Sequence, residues 1–239
     1  MSNSPLVSYT KLSPNHSGQR TRKIDRITPH CVVGQCSVER LGDIFLPASR
    51  EASCNYGIGA DGRIGMYVEE KNRSWCSSSN ANDQRAVTIE CASDGAEPYA
   101  FRDVVYKSLI TLCVDICKRN GKTKLLWLED KDKTLAYTPA PDEMVLTVHR
   151  WFANKSCPGN WMYARMGDLA EKVTAQLSAG MDEEDDDMDI NKFKELWREM
   201  RKELQDNDAS AYSEEARKWA VDNGIIRGGG DTGFSAKMN

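Results

Sequence analysis

The chain holds three histidines, and two of them close stretches that read as strands. His30 ends "RKIDRITPH", and His149 follows "EMVLTV" (143–148). Eight residues beyond His149 stands Cys157, in a loop narrowed by Pro158 and followed by Gly159. Two imidazoles and one thiolate form a known donor set for a catalytic zinc ion. The borderline-soft metal accepts both nitrogen and sulfur, and three protein ligands leave a fourth position for water. Ligands of that kind need rigid supports, which strand ends supply. Taken singly, a strand-end histidine is also what a hydrogen-bonded structural residue looks like, and Cys-Pro-Gly also reads as a plain turn.

The elements that must hold these residues can be read from periodicity. "RKIDRIT" (22–28) alternates as a strand and delivers His30 at its end. "CNYGIGADGRIGMYV" (54–68) reads as a hairpin turning at "ADGR". "RAVTIECA" (85–92) is rich in β-formers and nearly continuous in apolar character, the mark of a buried strand. "YAFRDVVYKSLITLCVDICKRNG" (99–121) is helical, with Val105, Leu109, Leu112 and Ile116 on one face and Gly121 as its stop. "WMYARMGDLAEKVTAQLSAG" (161–180) reads as a helix ending at Gly180. Strands alternating with helices predict an α/β domain over residues 1–180, with a mixed central β-sheet flanked by helices.

The acidic run "MDEEDDDMD" (181–189) reads as a solvated linker. Beyond it, residues 190–239 form a small helical region. Ile190, Phe193, Trp197, Met200 and Leu204 are spaced 3, 4, 3, 4, which gives an amphipathic helix with a narrow apolar seam. "YSEEARKWAVDNG" (212–224) is a second helix, with Ser213 as N-cap and Gly224 as stop.

Composition sets limits. At 40% hydrophobic and 28% charged residues the balance is that of a globular chain, and a net charge of −4 leaves no general nucleic-acid footprint. No apolar run approaches the about 18 residues that a membrane span needs. The N-terminus, "MSNSPLVSYTKLSPNHSGQR", is polar and lacks a signal core, so the expected site of synthesis is a cytoplasm. Eight cysteines without a secretory leader argue for thiols rather than a disulfide framework. Cys113 and Cys117, one helical turn apart, read as buried packing residues.

"ITPHCVVGQ", "VTIECASDG" and "HRWFANKSCPG" together resemble the type 2 N-acetylmuramoyl-L-alanine amidases, a family that includes phage endolysins and peptidoglycan-recognition proteins. The resemblance covers residues 20–175, and the distal motif is its specific part. It implies a zinc-dependent hydrolase that cuts the amide between N-acetylmuramic acid and L-alanine in peptidoglycan, with one zinc per chain. It implies His30, His149 and Cys157 as metal ligands, Glu90 as general base and Lys155 as the cation beside the developing oxyanion. Asn55, Tyr56 and Trp75 would line the substrate groove. Several positions depart from the family pattern: Cys31 follows the first ligand, Cys54 stands where some members carry a catalytic tyrosine, Asn55 replaces a histidine, and Cys76 follows Trp75 where a histidine is usual.

The opening "MSNSPLVSYTKLSPN" resembles the start of endolysins from phages of Gram-positive hosts. That implies residence in the host cytoplasm until release to the cell wall, with no nucleic-acid or membrane partner. "WAVDNG" in the second C-terminal helix resembles part of a surface-layer-homology unit, which implies wall attachment; pairing of the seam helix in a homodimer is the alternative. A wall-binding protein without catalysis, and a Cys-His peptidase with Cys157 as nucleophile, are the other two functional classes that these residues allow.

Overall fold

A computed structural model describes residues 2–184, 190–205 and 211–225, with side chains described outside 180–192 and 203–214. The chain divides into two units, Met1–Glu183 and Glu184–Asn239.

The first unit is built on a seven-stranded mixed sheet. Its strands are β1 (Val7–Thr10), β3 (Arg26–Cys31), β4 (Tyr56–Ile58), β5 (Ile64–Met66), β7 (Ala86–Cys91), β8 (Lys124–Leu126) and β9 (Glu143–Leu146). They lie in the order β1-β5-β4-β7-β3-β9-β8. β2 (His16–Gln19) and β6 (Asn72–Ser74) form a separate antiparallel pair. β4 and β5 are the expected hairpin, closed by Gly59 N–H donating to the Arg63 carbonyl at 2.9 Å. The helices of this unit are α1 (Val38–Phe45), α2 (Asn80–Asp83), α3 (Asp103–Arg119), α4 (Lys131–Ala136), α5 (Asn160–Tyr163) and α6 (Met166–Glu184).

At the centre, β3 and β7 run parallel and in register, pairing Ile27 with Val87, Thr28 with Thr88, Pro29 with Ile89 and His30 with Glu90. Successive side chains on a strand point to opposite faces. Ile27, Val87, Ile89 and Cys91 therefore enter the main core with α3 and α6. Arg26, Thr28, His30, Thr88 and Glu90 share the other face. In α3, Val105, Leu109, Leu112 and Ile116 are fully buried together with Cys113 and Cys117, as their spacing predicts. A smaller cluster joins Leu41 and Phe45 of α1 to Cys54 and Tyr67.

The first strand differs from its expected place. Arg22–Asp25 lies outside it, and the strand runs on through Pro29 to Cys31. A proline inside a central strand is normally excluded because it cannot donate to the ladder. Here the ladder explains its presence. The carbonyls of Asp25 and Ile27 accept from Val145 and Thr147 of the β9 side, at 3.0 Å each, so the odd-numbered residues face β9. Pairing with β9 stops at Ile27, and Pro29 lies past that stop on the same side. β3 and β9 part there, which frees the end of β3 beside the segment that follows β9.

The expected helix over 161–180 is two helices, α5 and α6, and α6 continues through Gly180 to Glu184. An interior glycine costs only about 1 kcal/mol, too little to stop a helix without a left-handed turn after it. The first four residues of the acidic run are thus helical, and 185–189 fall outside the described residues.

In the second unit, α7 (Ile190–Gln205) and α8 (Ala211–Asp222) are the two expected helices. Phe193, Trp197 and Met200 of the seam lie exposed; the side chains of Ile190 and Leu204 are outside those described. α8 begins before Ser213, so Ser213 is not its N-cap, while Gly224 at φ +68° does follow its end. Residues 226–239 lie outside the described residues. No described helix is long and apolar enough to cross a membrane.

Candidate functional site

His30 and Glu90 face each other at the C-terminal ends of β3 and β7, and β9 delivers His149 in the 3-10 turn His149–Trp151. Ligand sites in open α/β sheets form at these strand ends. Cys157 reaches the same point through Arg150. The Arg150 N–H donates to the Cys157 carbonyl at 3.1 Å, and its guanidinium donates to the Ser156 carbonyl at 2.5 Å and to Asn160 Oδ1 at 3.2 Å. The residue after His149 thus clamps the loop that carries Cys157. Gly159 completes the turn at φ +84°, where a Cβ would sit 2.8 Å from the Pro98 carbonyl oxygen and from Tyr99 Cβ. Only glycine fits there.

One donor atom from each of His30, His149 and Cys157 lies within 4.8 Å of the other two. Cys157 Sγ is 3.2 Å from His30 Nδ1, and the two imidazoles are 5.0 Å apart between centroids. His30, Cys76 and Glu90 form a second, overlapping group of the same tightness. His30 is wholly buried and its Nε2 has no hydrogen-bond partner; Glu90 Oε2 is likewise buried without one. Burial holds the His30 imidazole well below the usual histidine range, helped by His149. His149 is lowered by burial and then by Lys155. Both rings are therefore neutral near pH 7, the state in which imidazole binds metal. Burial, the Cys31 thiol and Glu90 push the Cys157 thiol up, so thiolate there depends on a cation to replace the proton. Two neutral imidazoles and a thiol at this spacing fit zinc.

Glu90 lies 4.0 Å from His30 Nδ1, and Cys76 Sγ is 3.8 Å from its Oε1. Burial raises its carboxyl to about 7, with Cys76 and Arg50 pulling the other way. These groups open onto a groove of about 1000 Å³ whose lining includes Arg50, Trp75, Glu90, His149, Lys155 and Cys157. Lys155 is exposed on its wall. Trp75 is also on the wall, its Nε1 donating to Ser17 Oγ at 2.6 Å.

Asn55 and Tyr56 do not line the groove. Both are fully buried. The Asn55 carboxamide accepts from Arg20 at 2.9 Å and from the Thr88 N–H at 3.2 Å, and donates to the carbonyls of Val68, Glu69 and Asn72. Tyr56 donates to Glu70 Oε1 at 2.6 Å and accepts from Ser4 N–H. Hydrogen bonding inside the domain, rather than a ligand, fixes both. Of the substituted cysteines, Cys31 and Cys76 line the groove and Cys54 is buried beneath it. All eight cysteines are free thiols.

Sequence reasoning missed Ser78 and Arg150. Ser78 Oγ lies 3.0 Å from His149 Nε2, on a residue held at φ +61°. Such a conformation in a non-glycine residue costs about 1–3 kcal/mol and collects at functional sites. Its only signal was its place in "RSWCSSS". Arg150 left none, because its role depends on where the chain returns.

The sequence profile of the N-acetylmuramoyl-L-alanine amidase family matches residues 17–160. No curated protein sequence matches the chain. Among solved structures, the chain is similar to a selenomethionine derivative of AmpD, at 18% identity and a TM-score of 0.47, over 68% of this chain and 93% of that one. It is also similar to the endolysin N-acetylmuramoyl-L-alanine amidase LysCS from Clostridium intestinale, at 16% identity and a TM-score of 0.44, over 72% and 97%. A third is the catalytic domain of XlyA, at 11% identity and a TM-score of 0.46, over 69% and 97%.

The buried carboxamide yields a test. Asn55→Ala leaves several buried partners unsatisfied, so urea unfolding should show a loss of roughly 2–4 kcal/mol. A variant as stable as the parent would return Asn55 to a groove role.

Proposed function

The chain belongs to the N-acetylmuramoyl-L-alanine amidase family, and from that premise we propose that it cuts the amide between the lactyl group of N-acetylmuramic acid and the L-alanine of the stem peptide, with zinc held by His30, His149 and Cys157. The observation that carries this reading is the convergence of those three donors at the edge of an open groove. A groove of that size suits a long polymer better than an enclosed pocket would.

Zinc at these ligands would supply a Lewis acid and lower the pKa of a bound water toward about 7. The remaining work falls to the chain. Glu90, with its carboxyl near 7, takes a proton from the attacking water and returns it to the leaving amine. Lys155, on the groove wall, faces the negative charge that develops on the carbonyl oxygen. Ser78 holds the His149 ring, and Arg150 holds the Cys157 loop.

The short Cys157–His30 contact is what a Cys-His peptidase would also show. The electrostatics oppose it: burial drives the thiol up and the imidazole down, favouring the neutral pair. A nucleophilic cysteine needs the reverse. The biological setting we propose is wall lysis by a phage or prophage enzyme, made in the host cytoplasm and released to the wall. In this reading residues 1–180 are the catalytic domain, and the C-terminal helices serve wall attachment or pairing of chains.

Metal content and wall hydrolysis should be measured together, before and after chelation, counting new amino groups and reducing ends separately. One zinc per chain and chelator-sensitive release of amino groups without reducing ends is the expected result; cleavage that survives chelation but not thiol alkylation would support the peptidase. His149→Ala should weaken metal binding by at least about 100-fold, more than loss of an outer-shell contact does. Glu90→Gln should keep the metal while kcat falls about 10²–10⁴-fold; loss of zinc in that variant would make Glu90 a ligand instead. Lys155→Ala should keep the metal and lower kcat roughly 10²-fold, and an unchanged kcat would leave it a solvated loop residue.

A further inference from the structure

A second cavity, of about 690 Å³, lies at the opposite end of β3 from His30. Arg22, Lys23, Arg26 and Arg85 line it, with Leu135 and Phe152 as apolar wall. Arg26, Thr28 and His30 share one face of β3, and four residues at about 3.3 Å each put Arg26 roughly 13 Å from His30. Ser79 lines both this cavity and the groove.

Arg26 is the unusual member. It is 5% exposed, yet no carboxylate among the described residues lies within ion-pair distance of its guanidinium. Among the described residues its one side-chain bond runs from Nη1 to the neutral Asn82 Oδ1, at 3.2 Å. The neighbouring carboxylate, Asp25, is taken by Arg85, with Nε at 2.8 Å from Oδ1 and Nη2 at 2.6 Å from Oδ2. Among the described residues neither Nε nor Nη2 of Arg26 donates to a protein atom, and the side chain lines the cavity. Burial, then Arg85, pulls its pKa down to about 10, so it stays charged at neutral pH. Four cations thus surround one cavity with a single carboxylate to balance them, in a chain whose net charge is −4. A buried charge without a partner is costly, and a planar guanidinium with two free donors matches an oxyanion bidentately.

We propose that this cavity is an oxyanion-binding site, with Arg26 as its floor and Arg22 and Lys23 at its rim, which takes the phosphoryl or carboxylate group of a larger ligand. The site does not depend on amide hydrolysis, and its test is separate from that reading.

The full chain would be titrated calorimetrically with inorganic phosphate and, separately, with acetate, each with and without an uncharged, carboxylate-free chelator such as phenanthroline. Saturable binding that persists after chelation is expected, since an anion held by metal at the histidine–cysteine site would be lost. Binding of phosphate alone assigns the site to phosphoryl groups, and binding of acetate alone to carboxylates. Arg26→Gln should weaken binding at least about tenfold, the loss of one charge-assisted pair. Should that buried substitution fail to fold, as judged by circular dichroism, the exposed pair Arg22→Ala/Lys23→Ala should still weaken binding about threefold, with an effect that shrinks as salt rises. Binding of neither anion, binding abolished by chelator, or affinity unchanged in the folded variants would overturn the proposal.

Discussion

The parallel, in-register pairing of β3 with β7 is the constraint on which the rest depends. Its register sets His30 directly opposite Glu90. A one-residue slip of either strand would turn its own polar side chain into the apolar core, bringing Pro29 to the site in place of His30 or Ile89 in place of Glu90. The register is held by chemistry on both faces. Ile27, Val87 and Ile89 are buried among α3 and α6 on one side. On the other, Thr28 bonds Thr147 at 2.7 Å and receives an amide proton from Asn82, while Thr88 meets Ser74 and Asn55. A slip would strand every one of those polar groups in hydrocarbon.

What β3 and β7 cannot supply comes from the chain after β9. Its arrival depends on a break in the ladder, which Pro29 makes by having no N–H to give on that side. The 3-10 turn then brings His149 in, Arg150 reaches across to the Cys157 loop, and Gly159 lets the chain pass beneath Pro98 and Tyr99. Each device is local and cheap. Together they bring one candidate donor from β3 and two from the chain after β9 to a single point, an arrangement that would spare the proposed zinc much of the cost of ordering its ligands.

His30 and His149 were legible because each closes a strand-like run, and Cys157 because a Cys-Pro-Gly turn marks it; Glu90 and Lys155 stood out only through the family resemblance. The α3 face and the β4–β5 hairpin were legible from periodicity and turn residues. Asn55 and Tyr56 were not, since nothing local distinguishes a buried carboxamide serving three backbone carbonyls from one facing a ligand. The strands β1, β2, β6 and β8 escaped, being three or four residues long and without a turn such as the ADGR that marks β4 and β5. Helix α6 ran past Gly180 because a glycine ends a helix only where the next turn is left-handed. Arg26 read as part of a strand; that its nearest carboxylate is spent on Arg85 is a fact of folding alone.

The departures from the family pattern change the medium of the site more than its plan. Of the three cysteines that depart from the pattern, Cys54 and Cys76 interact with Glu90 and Cys31 lines the same groove. A thiol is a weak donor, and among the described residues the only side-chain bond Glu90 receives is the 3.8 Å contact from Cys76. Burial therefore outweighs the opposing pull of Cys76 and Arg50, and the carboxyl rises to about 7. In the role proposed for Glu90, a carboxyl poised there would take up and give back a proton with nearly equal ease at neutral pH, as a group that serves first as base and then as acid must.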